Sequence, residues 1–93
     1  MGVVRLSVGT FTVDLVGEVV CRRYSGEVVT RTGARRAVRA PHSYTTIVLA
    51  EPPSPELLRV AGRHVEVVVD GVVHRDARVY IRGEPPWEVV VHP

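Results

Sequence analysis

Phe11-Thr12-Val13-Asp14-Leu15-Val16-Gly17-Glu18-Val19-Val20-Cys21-Arg22-Arg23-Tyr24 is the stretch on which the fold turns. Phe11, Val13, Leu15, Gly17, Val19 and Cys21 keep one period-2 register from end to end. Side chains of a strand alternate between two faces, so an unbroken alternation predicts one long strand and not two. Gly17 falls inside it, where glycine marks a bend or bulge. A strand of this length curls round a barrel or serves both sheets of a sandwich. Cys21 shares the apolar register and reads as a small core hydrophobe. Val16 and Val20 lie on the opposite face, which suggests a second buried surface.

On the N-terminal side, Val3 to Val8 is a strand with Val4, Leu6 and Val8 on one face, and Gly9-Thr10 is a tight-turn pair. On the C-terminal side, Ser25-Gly26 turns the chain back into Glu27 to Thr32, a second hairpin. The next ten residues, 32–41, have no clean period and hold three arginines and no acid. An extended Arg-rich loop or arm is expected over about 32–43. Strand character resumes from Ser43 to Leu49 and stops at Glu51-Pro52-Pro53. Ser54-Pro55-Glu56 then has the chemistry of a helix start, with a capping hydroxyl, a tolerated first-turn proline and an acid at the positive end. One or two helical turns are expected over Pro55 to Ala61, with Leu57, Leu58 and Ala61 plugging one end of the core.

Asp70-Gly71, between Arg63–Val69 and Val72–Arg82, is the strongest hairpin signal in the chain. Two registers compete for it. A two-residue turn pairs Val68 with Val73 and needs a bulge near Arg75-Asp76 to bring the later apolar residues to the core face. A three-residue turn keeps the valines together but places Arg75 among them. Pro85-Pro86 makes the last loop, and Trp87 to His92 is the last strand. The sum is an all-β, mainly antiparallel chain: a small β-sandwich or partly open barrel of about seven strands, with one short helix near 55–61. Residues 1–93 read as a single β domain, since 93 residues is below the size at which cores divide.

Every one of the twelve basic residues is arginine, and lysine, asparagine and glutamine are absent. A GC-rich genome accounts for that usage together with the abundance of valine. The single cysteine permits no internal disulfide and no cysteine cage for a metal. No basic n-region followed by an apolar run opens the chain, and no apolar run approaches the roughly 20 residues of a membrane-spanning helix. The expectation is a protein of the cytoplasm, or of a particle assembled there, with no membrane contact.

The sequence offers little to a catalytic reading. His42, His64, His74 and His92 have no metal-ligand spacing, although His64 and His74 sit on opposite arms of one hairpin and could face each other. No nucleophile elbow and no phosphate-binding glycine loop occurs. Asp70 belongs to a turn, Asp76 is expected to pair with Arg75 or Arg78, and Glu66 is expected opposite Arg75. No catalytic residue, metal, cofactor or small-molecule substrate is assigned, and the chain is read as a non-enzyme.

The distinctive feature is charge. Between Cys21 and Thr46 lie six arginines (Arg22, Arg23, Arg31, Arg35, Arg36 and Arg39) and one acid, Glu27, so this segment is strongly positive while the remainder is slightly negative. Such asymmetry is a footprint for phosphates or for an acidic protein surface, and a basic loop is also an ordinary solvated loop. The candidate partner-binding residues, for protein or nucleic acid, are Arg31, Arg35, Arg36, Arg39, Tyr44 and Trp87. Trp87 has a second reading as a lid on the core, and tryptophan is also frequent among interface anchors. The expected function is a structural or assembly module making homo-oligomeric or multi-protein contacts. Small β proteins with arms recur among phage head, neck and tail components, an analogy at the level of fold and not of motif. The alternative is a small β-barrel that binds nucleic acid through the Arg22–Arg39 segment.

Overall fold

A computed structural model describes residues 2–24, 27–29, 35–37 and 42–92, with side chains described over 2–23 and 43–92. The elements in chain order are β1 (Gly2–Val8), β2 (Phe11–Tyr24), β3 (Glu27–Val29), β4 (Arg35–Ala37), β5 (His42–Leu49), α1 (Pro55–Leu58), β6 (His64–Val69), β7 (Val72–Arg82) and β8 (Glu88–His92). All strand pairings are antiparallel. Six strands close into a barrel in the order β1-β2-β5-β8-β7-β6, while β3 and β4 form a separate two-stranded ribbon. Among the described residues no helix is long and apolar enough to cross a membrane.

The expectation of a sandwich or partly open barrel of about seven strands is corrected to a closed barrel of six. The reason lies in two strands that change neighbours along their length. β2 pairs with β1 as far as Gly17 and with β5 from Gly17 onward. β7 pairs with β6 over Val72 to Arg78 and with β8 over Arg78 to Arg82. A strand that leaves one sheet and joins another makes a corner. With a corner on each side, two sheets merge into one closed surface and have no need to face each other as separate layers.

Gly17 is the first corner. A Cβ at this position would overlap the Val48 carbonyl oxygen and would lie 3.2 Å from the Val48 carbonyl carbon. Only glycine lets β5 approach the bend this closely. The second corner is the bulge that the two-residue register of Asp70-Gly71 requires. Val69 pairs with Val72, Val68 with Val73 and Val67 with His74, after which the register slips so that Val65 meets Ala77. Asp76 takes the left-handed conformation at φ 52, and the His64 Nε2–H donates to its carbonyl oxygen at 2.7 Å. The extra residue switches the inward face of β7 from even to odd positions, so Ala77 and Val79 enter the core while Val73 stays exposed. His64 lies opposite Arg78 and His74 opposite Val67, so the two histidines do not face each other as expected.

Asp70 closes the barrel as well as the turn. It sits at φ 47, a conformation that asparagine, aspartate and glycine tolerate best. Its backbone N–H donates to the Arg5 carbonyl at 2.9 Å, and its carboxylate accepts from the Arg5 backbone N–H at 2.8 Å. These bonds prolong the β1–β6 pairing of Leu6, Ser7 and Val8 with Val69, Val68 and Val67.

The core is aliphatic: Val4, Leu6 and Val8 meet Ile47, Leu49, Val67, Val69, Ala77, Val79, Val89 and Val91. Leu57 and Val60 seal one end. The helix is shorter than the expected 55–61, ending at Leu58. Ser54 Oγ accepts the Leu57 N–H at 3.1 Å, as a helix cap should. After Leu58 the chain tightens, with Val60 N–H bonded to the Leu57 carbonyl and Ala61 N–H to the Leu58 carbonyl. Three-residue spacing stacks Val60 over Leu57. The plug is therefore Leu57 with Val60, while Leu58 and Ala61 are exposed.

Candidate assembly surface

The corner at Gly17 sends the second half of β2 beyond β1, which begins opposite it at Gly2. β2 and β5 stay paired from Gly17↔Leu49 to Tyr24↔His42, with β8 on the far side of β5 over Thr45–Val48, so the pair runs on as two strands only past Cys21↔Thr45. β3 and β4 lie between these two strands in the chain and, among the described residues, pair only with each other. Arg35 and Arg36 are in β4, paired with Val29 and Val28. Three residues of the expected arm are therefore a short strand. Arg31 and Arg39 lie outside the described residues.

The ladder leaves Cys21 exposed, which corrects the core assignment. The parity was sound: Cys21 is on the same face as Val13 and Leu15. Its burial fails because β1 pairs with β2 only as far as Gly2↔Gly17 and, among the described residues, no other strand lies against β2 at that level. Val19 is exposed by 38% for the same reason.

The outer face of β2, β5, β8 and β7 is ordered in cross-strand rows. Val20, Thr46, Val90 and Tyr80 form one row. Arg22, Tyr44, His92 and Arg78 flank it on one side, and Glu18, Val48, Glu88 and Arg82 on the other. Tyr44 stacks on His92 with ring centroids 6.2 Å apart and 20° between planes. Arg22 Nη2 reaches diagonally over β5 to Glu88 Oε1 at 2.8 Å. Thr46 lies under that crossing. It is completely buried although it faces outward, and its hydroxyl finds no hydrogen-bond partner. The alternation of Val16 with Val20 had indicated a second covered surface; Val20 is half-buried there, while Val16 is 48% exposed.

Trp87 is half-buried and packs against the aliphatic core, and its carbonyl accepts the Leu49 N–H at 2.8 Å. Tyr44 is half-buried by its stack. Of the six candidate residues, the structure places Tyr44 on the outer face beside Arg22, Arg35 and Arg36 on the ribbon, and Trp87 at the core. Among the described side chains, Tyr44 and Trp87 are not brought together.

Two arginine–carboxylate pairs form among the described residues, Arg22–Glu88 and Arg5–Asp14, the latter at 3.0 Å. The hydrogen bond and then the charge of Asp14 hold the Arg5 guanidinium above its ordinary range. Asp76 and Glu66 do not form the expected pairs, because the bulge turns Arg75 and Asp76 out of register with Glu66. Near α1 an open groove of about 230 Å³ is lined by Val13, Leu15, Leu49, Pro53 and Leu57 with Asp14 and Glu51 at its edge. Among the described residues no group of three histidines, cysteines or carboxylates is close enough to hold a metal ion.

Compared with family models, with curated proteins and with solved structures, the chain matches none.

Proposed function

We propose that this chain is a structural module that assembles with other protein chains, its own copies included, through the stretch of β2 that runs past β1. The observation that carries this reading is the unpaired side of β2 from Glu18 to Arg23: among the described residues no strand lies against it. Open backbone donors and acceptors on a sheet edge are a template for another strand. On that edge Val19 is itself an exposed apolar side chain. Small β domains of this type serve as parts of virus particles, including phage heads, necks and tails, and that is the class of assembly we favour by analogy of fold.

The test is size-exclusion chromatography with light scattering, read at 260 and 280 nm. A defined multimer free of excess 260 nm absorbance supports the proposal. A monomer at every concentration refutes self-assembly.

A second reading is favoured by one observation, that Arg35 and Arg36 lie in a two-stranded ribbon separate from the barrel sheet. A nucleic-acid contact there would be strongly salt-dependent. If four arginines met phosphates, log K would fall against log salt with a slope of about −3 to −4. Co-purifying nucleic acid that high salt strips away would support this reading over the first.

A further inference from the structure

We propose that the open edge of β2 docks a second copy of this chain, strand against strand and antiparallel, about a two-fold axis centred on Val20. The inference rests on the assembly reading above and names the partner and the register.

The backbone fixes which residues can take part. Val8 pairs with Phe11 across the two-residue turn Gly9-Thr10. The pair flanking such a turn exchanges hydrogen bonds, so Phe11 aims its N–H and C=O at β1. Odd residues of β2 therefore face β1 and even residues face away. The Ala50 N–H bonded to the Val16 carbonyl at 3.0 Å agrees with that parity. Beyond Gly17, where β1 ends, Val19, Cys21 and Arg23 present their N–H and C=O groups to the open edge. All three residues are exposed.

Antiparallel pairing of this edge with its own copy must set odd residues against odd. Three registers satisfy that rule near the middle of the edge. Centred on Cys21, Glu18 faces Tyr24 and Val20 faces Arg22. Centred on Val19, Glu18 faces Val20, and Cys21 faces Gly17, whose edge is already taken by Gly2. Centred on Val20, Val19 faces Cys21, Val20 faces Val20, and Glu18 faces Arg22 of the second copy, where it competes with Glu88 for the guanidinium. Opposite charges directly across a strand pair are favourable and like or unmatched charges are not. The stretch Glu18-Val19-Val20-Cys21-Arg22 is thus complementary to its own reversed image only in the third register. The hydrogen-bonded pairs of that register are the two of Val19 with Cys21; Arg23 of the second copy falls opposite Gly17, whose edge Gly2 holds, so the joint ends there.

Sedimentation equilibrium on the full chain, up to about 100 µM because a short strand joint belongs to the smaller interface class, tests the proposal. Val19→Pro removes an N–H that points at the open edge, a place where a strand tolerates proline. Glu18→Arg sets like charges across the axis on an exposed position. Each is expected to weaken self-association at least about tenfold, while Glu18→Arg leaves the thermal midpoint unchanged. Cys21 reports the register. In the Val20-centred joint the two Cys21 Cα atoms are about 8 Å apart on one face, from the strand spacing and rise. A short bismaleimide should join them and an oxidant should not, since a disulfide needs a separation below about 7 Å. A multimer that ignores both substitutions overturns this docking and leaves the assembly reading standing. Rapid Cys21–Cys21 disulfide formation overturns the register. A chain that stays monomeric throughout overturns this docking and self-assembly with it.

Discussion

Replacing Gly17 with alanine tests the claim that the barrel closes because β2 turns a corner there. The added Cβ overlaps the Val48 carbonyl oxygen and sits 3.3 Å from Ile47 Cγ2. Ile47 is completely buried, and Val48 is paired with Glu18 in the ladder, so neither neighbour yields without disturbing the β2–β5 register. Overpacking of this kind costs about 1–3 kcal/mol. Loss of glycine's freedom in the unfolded chain returns about 0.5–1 kcal/mol. The net expectation is a loss of about 1–2 kcal/mol. For a domain of this size each kcal/mol moves the midpoint by about 4–8 °C, so Gly17→Ala should melt about 5–15 °C lower. Gly83 is the control, because a Cβ there meets nothing within 4 Å. Gly83→Ala should leave the midpoint unchanged or slightly raised. Thermal and urea unfolding followed by circular dichroism measures both. If Gly17→Ala melts at or above the parent, the close approach of β5 does not define the corner and the account of closure is wrong.

Thr46→Val removes a buried hydroxyl that has no partner and keeps the branched shape, so it should raise stability by about 1 kcal/mol; a lower midpoint would mean that the hydroxyl is satisfied in solution. Asp70→Ala loses both the left-handed preference and the bond from Arg5, and should cost about 1–2 kcal/mol, while Asp70→Asn keeps most of both. Equal loss in the two variants would place the effect on charge instead. Leu57→Ala opens the sealed end of the core and should cost about 2–5 kcal/mol in urea unfolding. A double-mutant cycle on Arg22 and Glu88 should return a coupling of about 0.5–1 kcal/mol that shrinks in high salt; a zero coupling would leave Thr46 covered for another reason.

The local features were legible in the chain. Period-2 alternation gave β2 its full length, the glycine inside it marked the bend, and Asp70-Gly71 marked the third hairpin while leaving two registers open, of which the structure takes the bulged one. These are properties of residues near one another in sequence. Closure was not legible, because it depends on Leu6 meeting Val69 and Thr46 meeting Val90, pairings that alternation permits but does not choose. Cys21 shows the limit of parity: the pattern tells which way a side chain points and is silent on whether another strand is there to cover it. Thr46 shows the converse. It faces outward by every pattern and is buried because an arginine two residues beyond Val20 crosses the neighbouring strand to reach a glutamate on the next. For the proposed assembly surface, the charged segment drew attention to arginines, whereas the proposal rests on the backbone between Glu18 and Arg23.

The pairing of Tyr24 with His42 at the end of the ladder makes residues 25–41 a graft. They leave and rejoin the barrel at adjacent points, so the entropy of bringing their ends together is already met by the strands, and changes in their length cost little more. Selection can then rewrite the arginine content, or exchange the whole insert, while Gly17, the bulge and the aliphatic interior keep the same barrel. A shape held constant and a tip free to vary would let one scaffold be fitted to many partners.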